Sequence, residues 1–362
     1  MRALRPASLR PAWLRPASLF ALAAVLAACG ASSPRASAPE APRPSAPASQ
    51  RGLDARLTTF PYPHEVRIHP LEVQGQALEL AYMDVAPGDT APRGVVVLLH
   101  GKNFSGAYWA RTIDALVARG YRVIAPDQIG FGRSSKPTDI QYSLHAMAQH
   151  TLALLDAREV ERFVVVGHSM GGMVATRVAL AAPDRVAGLA LLNPIGLEDW
   201  QRVVPYRTVD ELTGQERRST PDDVRRYMRD AYFAGRWDPA YEALVAIQVG
   251  WLEGPDAEHM ARVAALTSDM IFTQPVVHSF PDLQVPTLLV IGQRDRTAIG
   301  RDRVGPELAA QLGDYPALGR RAAEAIPGAQ LVELDDVGHV PQFEAFERTF
   351  EALSSFVDAH AR

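Results

Sequence analysis

Cysteine is almost missing. Cys29 stands alone among 362 residues, so no internal disulfide can form and the fold has only its core to hold it. Long apolar runs are missing too: residues 19–28 form an apolar stretch well short of the roughly 20 residues that span a bilayer. No basic cluster of the kind that binds nucleic acid is present, and the formal net charge is only −4, so nucleic acid is not an expected partner. Neither a metal-ligand grouping nor a Gly-x-x-x-x-Gly-Lys-Ser/Thr phosphate loop occurs, so no metal and no cofactor are expected. What the chain does have is 47% hydrophobic and 22% charged residues, ample for one large α/β domain or two small ones. Oligomeric state is not legible in it.

The first fifty residues form a separate object. Arg2, Arg5, Arg10 and Arg15 make a basic stretch without an acid, followed by the apolar residues 19–28 and small residues around position 28. That order is a secretory signal, residues 1–28, and its removal leaves 33 basic against 41 acidic side chains. Leu26-Ala27-Ala28-Cys29 resembles the bacterial lipobox, in which the cysteine is acylated and becomes the first residue after cleavage. The alternative is an ordinary signal peptide that happens to carry a lone cysteine. Several acyl chains would anchor the protein stably to a membrane. Gly30, where an Asp would retain the protein at the inner membrane, makes the expected location the outer membrane facing the periplasm. Residues 29–57 are rich in Pro, Ser and Ala and read as an extended tether to a domain at 58–361.

Within that domain, two alternating segments between Val66 and Val85 flank Gln74-Gly75-Gln76 and predict a hairpin at a sheet edge. Strand-like and helix-like patterns then alternate: strands at 95–99, 122–125, 163–166 and 186–192, helices at 108–119, 143–156 and 170–182. Such alternation predicts a mostly parallel sheet with helices on both faces. It stops at Asn193-Pro194 and resumes with strands at 287–291 and 330–334 and a last helix at 342–360. The interval 195–284, with helix-like stretches at 221–233 and 239–251, enters and leaves through strands. It therefore reads as a helical cap over the edge where such sheets bind ligands.

The most informative junction is Gly167-His168-Ser169-Met170-Gly171-Gly172, which follows the β-branched run Phe163-Val164-Val165-Val166. After Ser169 the apolar spacing becomes helical, at Met173, Val174, Val178 and Leu180. The pentapeptide alone can arise by chance. A serine between two glycines on a strand-to-helix turn is the setting of a nucleophile elbow, with the helix start favouring negative charge.

A serine hydroxyl needs a base and an orienting group. His339 follows a strand and a turn, whereas His100, His145, His150 and His168 read as a loop anchor, helix-surface residues and an elbow filler. For the acid, Asp295 follows strand 287–291 in Gly292-Gln293-Arg294-Asp295, with Asp199 and Asp302 as competitors. The chain order Ser169, Asp295, His339, which elbow hydrolases share, selects Asp295.

Four motifs carry a resemblance over about residues 58–361: His100-Gly101 ending the third strand, Asp127-Gln128-Ile129-Gly130-Phe131-Gly132-Arg133-Ser134, the elbow, and Gly338-His339 with Pro341 and Glu344. The chain resembles the α/β-hydrolase superfamily, and within it the capped serine hydrolases. The resemblance implies an eight-stranded-type sheet with a late cap and Ser169 as nucleophile. It also implies His339 as base then acid, Asp295 as its orienting carboxylate, and oxyanion donors at the amides of Met170 and Lys102, with Asn103 as the alternative to Lys102. The Lys102 side chain is unusual at its position. It either points outward to a salt bridge or meets an acidic substrate group. Relatives with an aspartate nucleophile are excluded by Ser169. The implied reaction is hydrolysis of an acyl substrate, foremost an ester, with C–C bond hydrolysis and prolyl-type aminopeptidase as alternatives and an inactive binding protein as the non-enzyme reading. Aromatic cap residues, Trp200 and Tyr206 foremost, are expected to line the substrate pocket, and Glu198, Asp199 or Glu253 would hold a substrate amine.

Overall fold

The computed structural model describes residues 52–88 and 90–361; the leader, Cys29 and the tether as far as residue 51 lie outside the described residues. Strands β1 (Val66–Val73) and β2 (Gln76–Val85) pair antiparallel. Gln74 and Gly75 both turn with positive φ, 51° and 79°, which matches the twist of a two-residue hairpin. Six further strands follow: β3 (Val95–Leu99), β4 (Arg122–Pro126), β5 (Phe163–His168), β6 (Val186–Leu192), β7 (Thr287–Gly292) and β8 (Gln330–Leu334). The sheet order is β1-β2-β4-β3-β5-β6-β7-β8, with β2 antiparallel to β4 and all later pairs parallel.

Burial on both faces explains the unbroken apolar strands. Val97, Leu99, Val165, Leu189, Leu191, Leu289 and Ile291 enter one core. Their neighbours Val96, Leu98, Val164, Val166, Ala190, Leu192, Leu288 and Val290 enter the other. Helices α1 (Ala110–Ala118), α2 (Leu144–Ala157) and α3 (Met170–Ala181) connect the strands before the cap. The cap contributes α4 (Val209–Arg218), α5 (Pro221–Tyr227), α6 (Glu242–Leu252) and α7 (Ala257–Thr273) between β6 and β7. Capping boxes at Thr208/Glu211 and Thr220/Asp223 start α4 and α5. After β7 come α8 (Pro306–Gln311) and α9 (Tyr315–Ala325), and after β8 come α10 (Pro341–Glu344) and α11 (Phe346–His360).

Several expectations change. The single helix expected at 342–360 is two, broken at Ala345, whose φ of −139° is not helical. The helix expected at 221–233 ends at Tyr227 and continues as one π turn, Met228–Tyr232. Helices α8 and α9 have no counterpart in the sequence reading, although Asp314 caps Ala317 N ahead of Pro316. The domain also begins before residue 58. Leu53 N donates to Gly250 O over 2.7 Å and Ala55 N to Asp256 Oδ2 over 2.7 Å. Leu57 is fully buried among Ile247, Trp251, Met260 and Val263 of the cap. Residues 53–57 are therefore a strap packed on α6 and α7 rather than the end of a tether.

One register and one reversal of strand order set up the site. Leu99 of β3 pairs with Gly167 of β5, so the residues just beyond them leave the sheet side by side. The sheet order also reverses direction between β3 and β5, which opens a crevice at their carboxyl ends.

Candidate active site

Ser169 sits in that crevice with φ 55° and ψ −123°, a strained conformation for a side chain with a Cβ. The flanking glycines make the turn possible by close approach. A Cβ on Gly167 would fall 2.2 Å from Gly171 O, and one on Gly171 would fall 2.1 Å from Leu99 O. Helix α3 thereby presses against both strands with the serine at its N-terminus.

His339 Nε2 lies 2.9 Å from Ser169 Oγ, and its Nδ1 lies 2.5 Å from Asp295 Oδ2. His339 and Asp295 are fully buried and Ser169 is 4% exposed. With Nδ1–H donating to the carboxylate, Nε2 is free to accept the serine proton. The structure thus joins Asp295 rather than Asp199 or Asp302 to the histidine. Asp199 instead receives His278 Nε2 and Arg202 Nε, and Asp302 receives Arg207. Asp295 is held in turn, Oδ2 accepting from Asn193 Nδ2 (2.9 Å) and Oδ1 from Thr297 N (2.8 Å).

The histidine loop is braced from three sides. His339 N donates to Tyr232 O over 2.8 Å, and a Cβ on Gly338 would fall 2.0 Å from that same oxygen, so only glycine fits there. His168 Nε2 donates to His339 O over 2.8 Å while its Nδ1 accepts from Tyr108 Oη at 2.9 Å. Burial, with His339 beside it, pushes the His168 pKa well down, in keeping with a neutral ring in this tautomer. Glu344 receives the amides of Gly338 (3.1 Å) and Val340 (3.3 Å), on either side of His339.

A family model described as the alpha/beta hydrolase fold matches residues 94–346, more than half of the chain. The chain belongs to the α/β hydrolase fold family. A probable hydrolytic enzyme from Pseudomonas aeruginosa PAO1 superposes with a TM-score of 0.83 at 48% identity, over 85% of this chain and 99% of that one. A putative carbamate hydrolase of Variovorax paradoxus is 43% identical over 98 residues, 27% of this chain and 37% of that protein. The 2-hydroxymuconate semialdehyde hydrolase of Pseudomonas sp. strain CF600 is 38% identical over 104 residues, 28% of this chain and 37% of that protein. The match thus spans little more than a third of the length of these curated relatives. These relatives and the solved structure all carry the names of hydrolytic enzymes.

Other hydrolase motifs prove architectural. Asp127 accepts from Gly106 N and Tyr62 Oη (both 2.6 Å) and from Arg133 N (2.7 Å), and a Cβ on Gly132 would collide with its carboxyl group at 2.2 Å. His100 Nε2 accepts from Gln128 N at 2.9 Å, tying this loop to the turn after β3, and burial lowers its pKa. A Cβ on Gly101 would stand 2.9 Å from Ser169 Cβ, so the 100–102 turn runs directly against the nucleophile. The Met170 amide is the first of α3 and belongs to the unsatisfied donors of a helix start.

Ser169 opens into a cavity of about 800 Å³ between core and cap, shared by Lys102, Asn103, Glu216 of α4 and Tyr227 of α5. Neither aromatic expected on its wall is there. Trp200 is 2% exposed in the main core with Nε1 donating to Glu198, and Tyr206 points to the surface, where its hydroxyl donates to Asp269 Oδ1 over 3.0 Å. Glu198, Asp199 and Glu253 are likewise absent from the wall. Glu198 is engaged with Trp200 and Gly313 N. Sequence reasoning missed Asn193 and Tyr232. Asn193 sat in plain view as the residue where the strand pattern stopped, at a positive φ of 35° that asparagine tolerates.

Proposed function

We propose that this α/β hydrolase is a serine hydrolase that cleaves carboxylic esters through an acyl-enzyme on Ser169. The observation that carries the reading is the unbroken hydrogen-bonded line from Ser169 Oγ through His339 to Asp295 at the floor of the cavity. Ser169 Oγ attacks the ester carbonyl as His339 Nε2 takes its proton, and Asp295 stabilises the imidazolium without taking the proton itself. The amides of Met170 and Lys102 receive the oxyanion, each donor contributing about 3 kcal/mol at the transition state. His339 then protonates the departing alcohol, and a water activated by the same nitrogen releases the acid.

The test is labelling by a neutral fluorophosphonate together with turnover of short acyl esters. Wild-type protein should be labelled and active, and Ser169→Ala should lose labelling and roughly 10⁴–10⁶-fold in kcat. Unlabelled, inactive wild-type protein would remove the reading and favour an inactive binding protein. The relative named as a semialdehyde hydrolase supports a second reading, C–C bond hydrolysis of a vinylogous diketone, which the same nucleophile could begin. The aminopeptidase reading has lost its specific support, since the three acids nominated for it are not on the cavity wall.

The leader carries a further proposal, that Cys29 is lipidated and holds the domain at the outer membrane facing the periplasm. Its support is the basic, apolar and small-residue order ending at Cys29.

A further inference from the structure

Lys102 is the one residue of the oxyanion turn whose side chain the ester-hydrolase reading leaves unused. Its backbone follows Gly101, where an added Cβ would stand 2.9 Å from Ser169 Cβ, and both Lys102 and Asn103 line the cavity into which Ser169 opens. The ammonium makes a single hydrogen bond, Nζ donating to Asn103 Oδ1 over 3.2 Å. Among the described residues no carboxylate lies within salt-bridge distance of it. It is therefore not the outward ion pair that a solvated lysine would form. Asn103 holds a left-handed backbone with φ 69°, and with its carbonyl oxygen occupied by Lys102 its amide Nδ2 has no acceptor among the described residues. Two donors, one charged and one neutral, thus share one spot of wall beside the nucleophile.

A cation taken partly out of water without a counter-ion costs stability, so the free protein gains nothing from this arrangement. Burial lowers the Lys102 pKa, and Glu216, on the cap helix α4 across the cavity, acts the other way and favours the charged form.

We propose that Lys102 and Asn103 receive a carboxylate carried by the substrate, which makes this hydrolase selective for half-esters of dicarboxylic acids or similarly anionic esters. The proposal rests on the ester-hydrolase reading of Ser169. One ammonium and one amide match the two oxygens of a carboxylate. The second charge of a phosphate dianion held by these two donors would meet Glu216 on the same cavity wall.

The test uses the full chain and matched pairs, the monomethyl and dimethyl esters of the C4 to C8 straight-chain diacids, followed by acid release. The quantity read is the ratio of kcat/KM for the anionic over the neutral ester at each chain length. In wild-type protein it should exceed tenfold at one or two lengths. Lys102→Met should reduce that ratio at least tenfold, chiefly through KM on the anionic ester, and Lys102→Arg should restore part of it. Asn103→Asp, which sets a negative charge on the lysine, should also depress the ratio, whereas Glu216→Gln should raise it. Taking a ratio divides out any general damage to the oxyanion turn. A wild-type ratio near or below one at all lengths, or a ratio that Lys102→Met leaves unchanged, overturns the proposal while fluorophosphonate labelling of Ser169 still stands. Loss of labelling and of all ester turnover in wild-type protein overturns the underlying reading instead.

Discussion

Asn193 Nδ2 donates to Asp295 Oδ2 over 2.9 Å, on the same oxygen that receives His339. Its own Oδ1 accepts from Gly292 N at 2.8 Å, so the side chain ties the end of β6 to the end of β7 and aims the carboxylate.

Removing that amide should weaken catalysis without touching substrate. Asn193→Gly suits the positive φ and loses only the side chain. Its kcat should fall about tenfold, the worth of one hydrogen bond to a charged group, with KM nearly constant. Asn193→Asp, which places a second carboxylate against Asp295, should lose more. Steady-state kinetics on a neutral ester decide it, and an unchanged kcat in both variants removes the positioning role.

Glu344 should leave a mark on stability against pH. Burial raises its pKa from 4.5 to about 7, while the amides of Gly338 and Val340 pull the other way. The folded chain therefore holds this proton where the unfolded chain has released it. Stability should fall as pH rises from about 4.5 to 7, by about 3 kcal/mol once the group is fully ionised. Urea midpoints measured across that window should decline less steeply in Glu344→Gln than in wild type. Above about pH 7, where Glu344 is ionised, the same substitution turns one acceptor into a donor facing backbone amides, so activity there should drop as well.

Leu57 pins the strap to the cap. Leu57→Ala should cost about 2–4 kcal/mol in urea unfolding, because it empties a fully buried site against Trp251 and Ile247. A chain that starts at residue 58 also loses the bonds from Leu53 and Ala55 to Gly250 and Asp256. Limited proteolysis should then cut faster within α6 and α7 than in the longer chain.

Membrane attachment through Cys29 has a direct assay. In a bacterial host, wild-type protein should partition with membranes, and Cys29→Ser should move it to the soluble periplasmic fraction. Persistence of the variant in membranes would refute lipidation at this position.

Much of the molecule is legible before any coordinates. Strands buried on both faces require unbroken apolar runs, so β3, β5, β6 and β7 announce themselves, and the glycines at 167 and 171 report a backbone approach that a Cβ would block. The order of Ser169, Asp295 and His339 follows from the connectivity of such a sheet. The contacts among them do not. His339 meets Ser169 across 170 residues of chain and Asp295 across 44, and the exclusion of Asp199, the grip of Asn193 and the bracing by Glu344 all depend on where loops converge in space. The cavity wall is decided the same way. Trp200 and Tyr206 have the composition of a pocket, but packing sends one into the core and the other to the surface. Local pattern determines the elements and the strained turn. Tertiary packing alone brings distant polar groups within hydrogen-bond reach, because that reach is set by the placement of whole strands and helices rather than by neighbours in sequence.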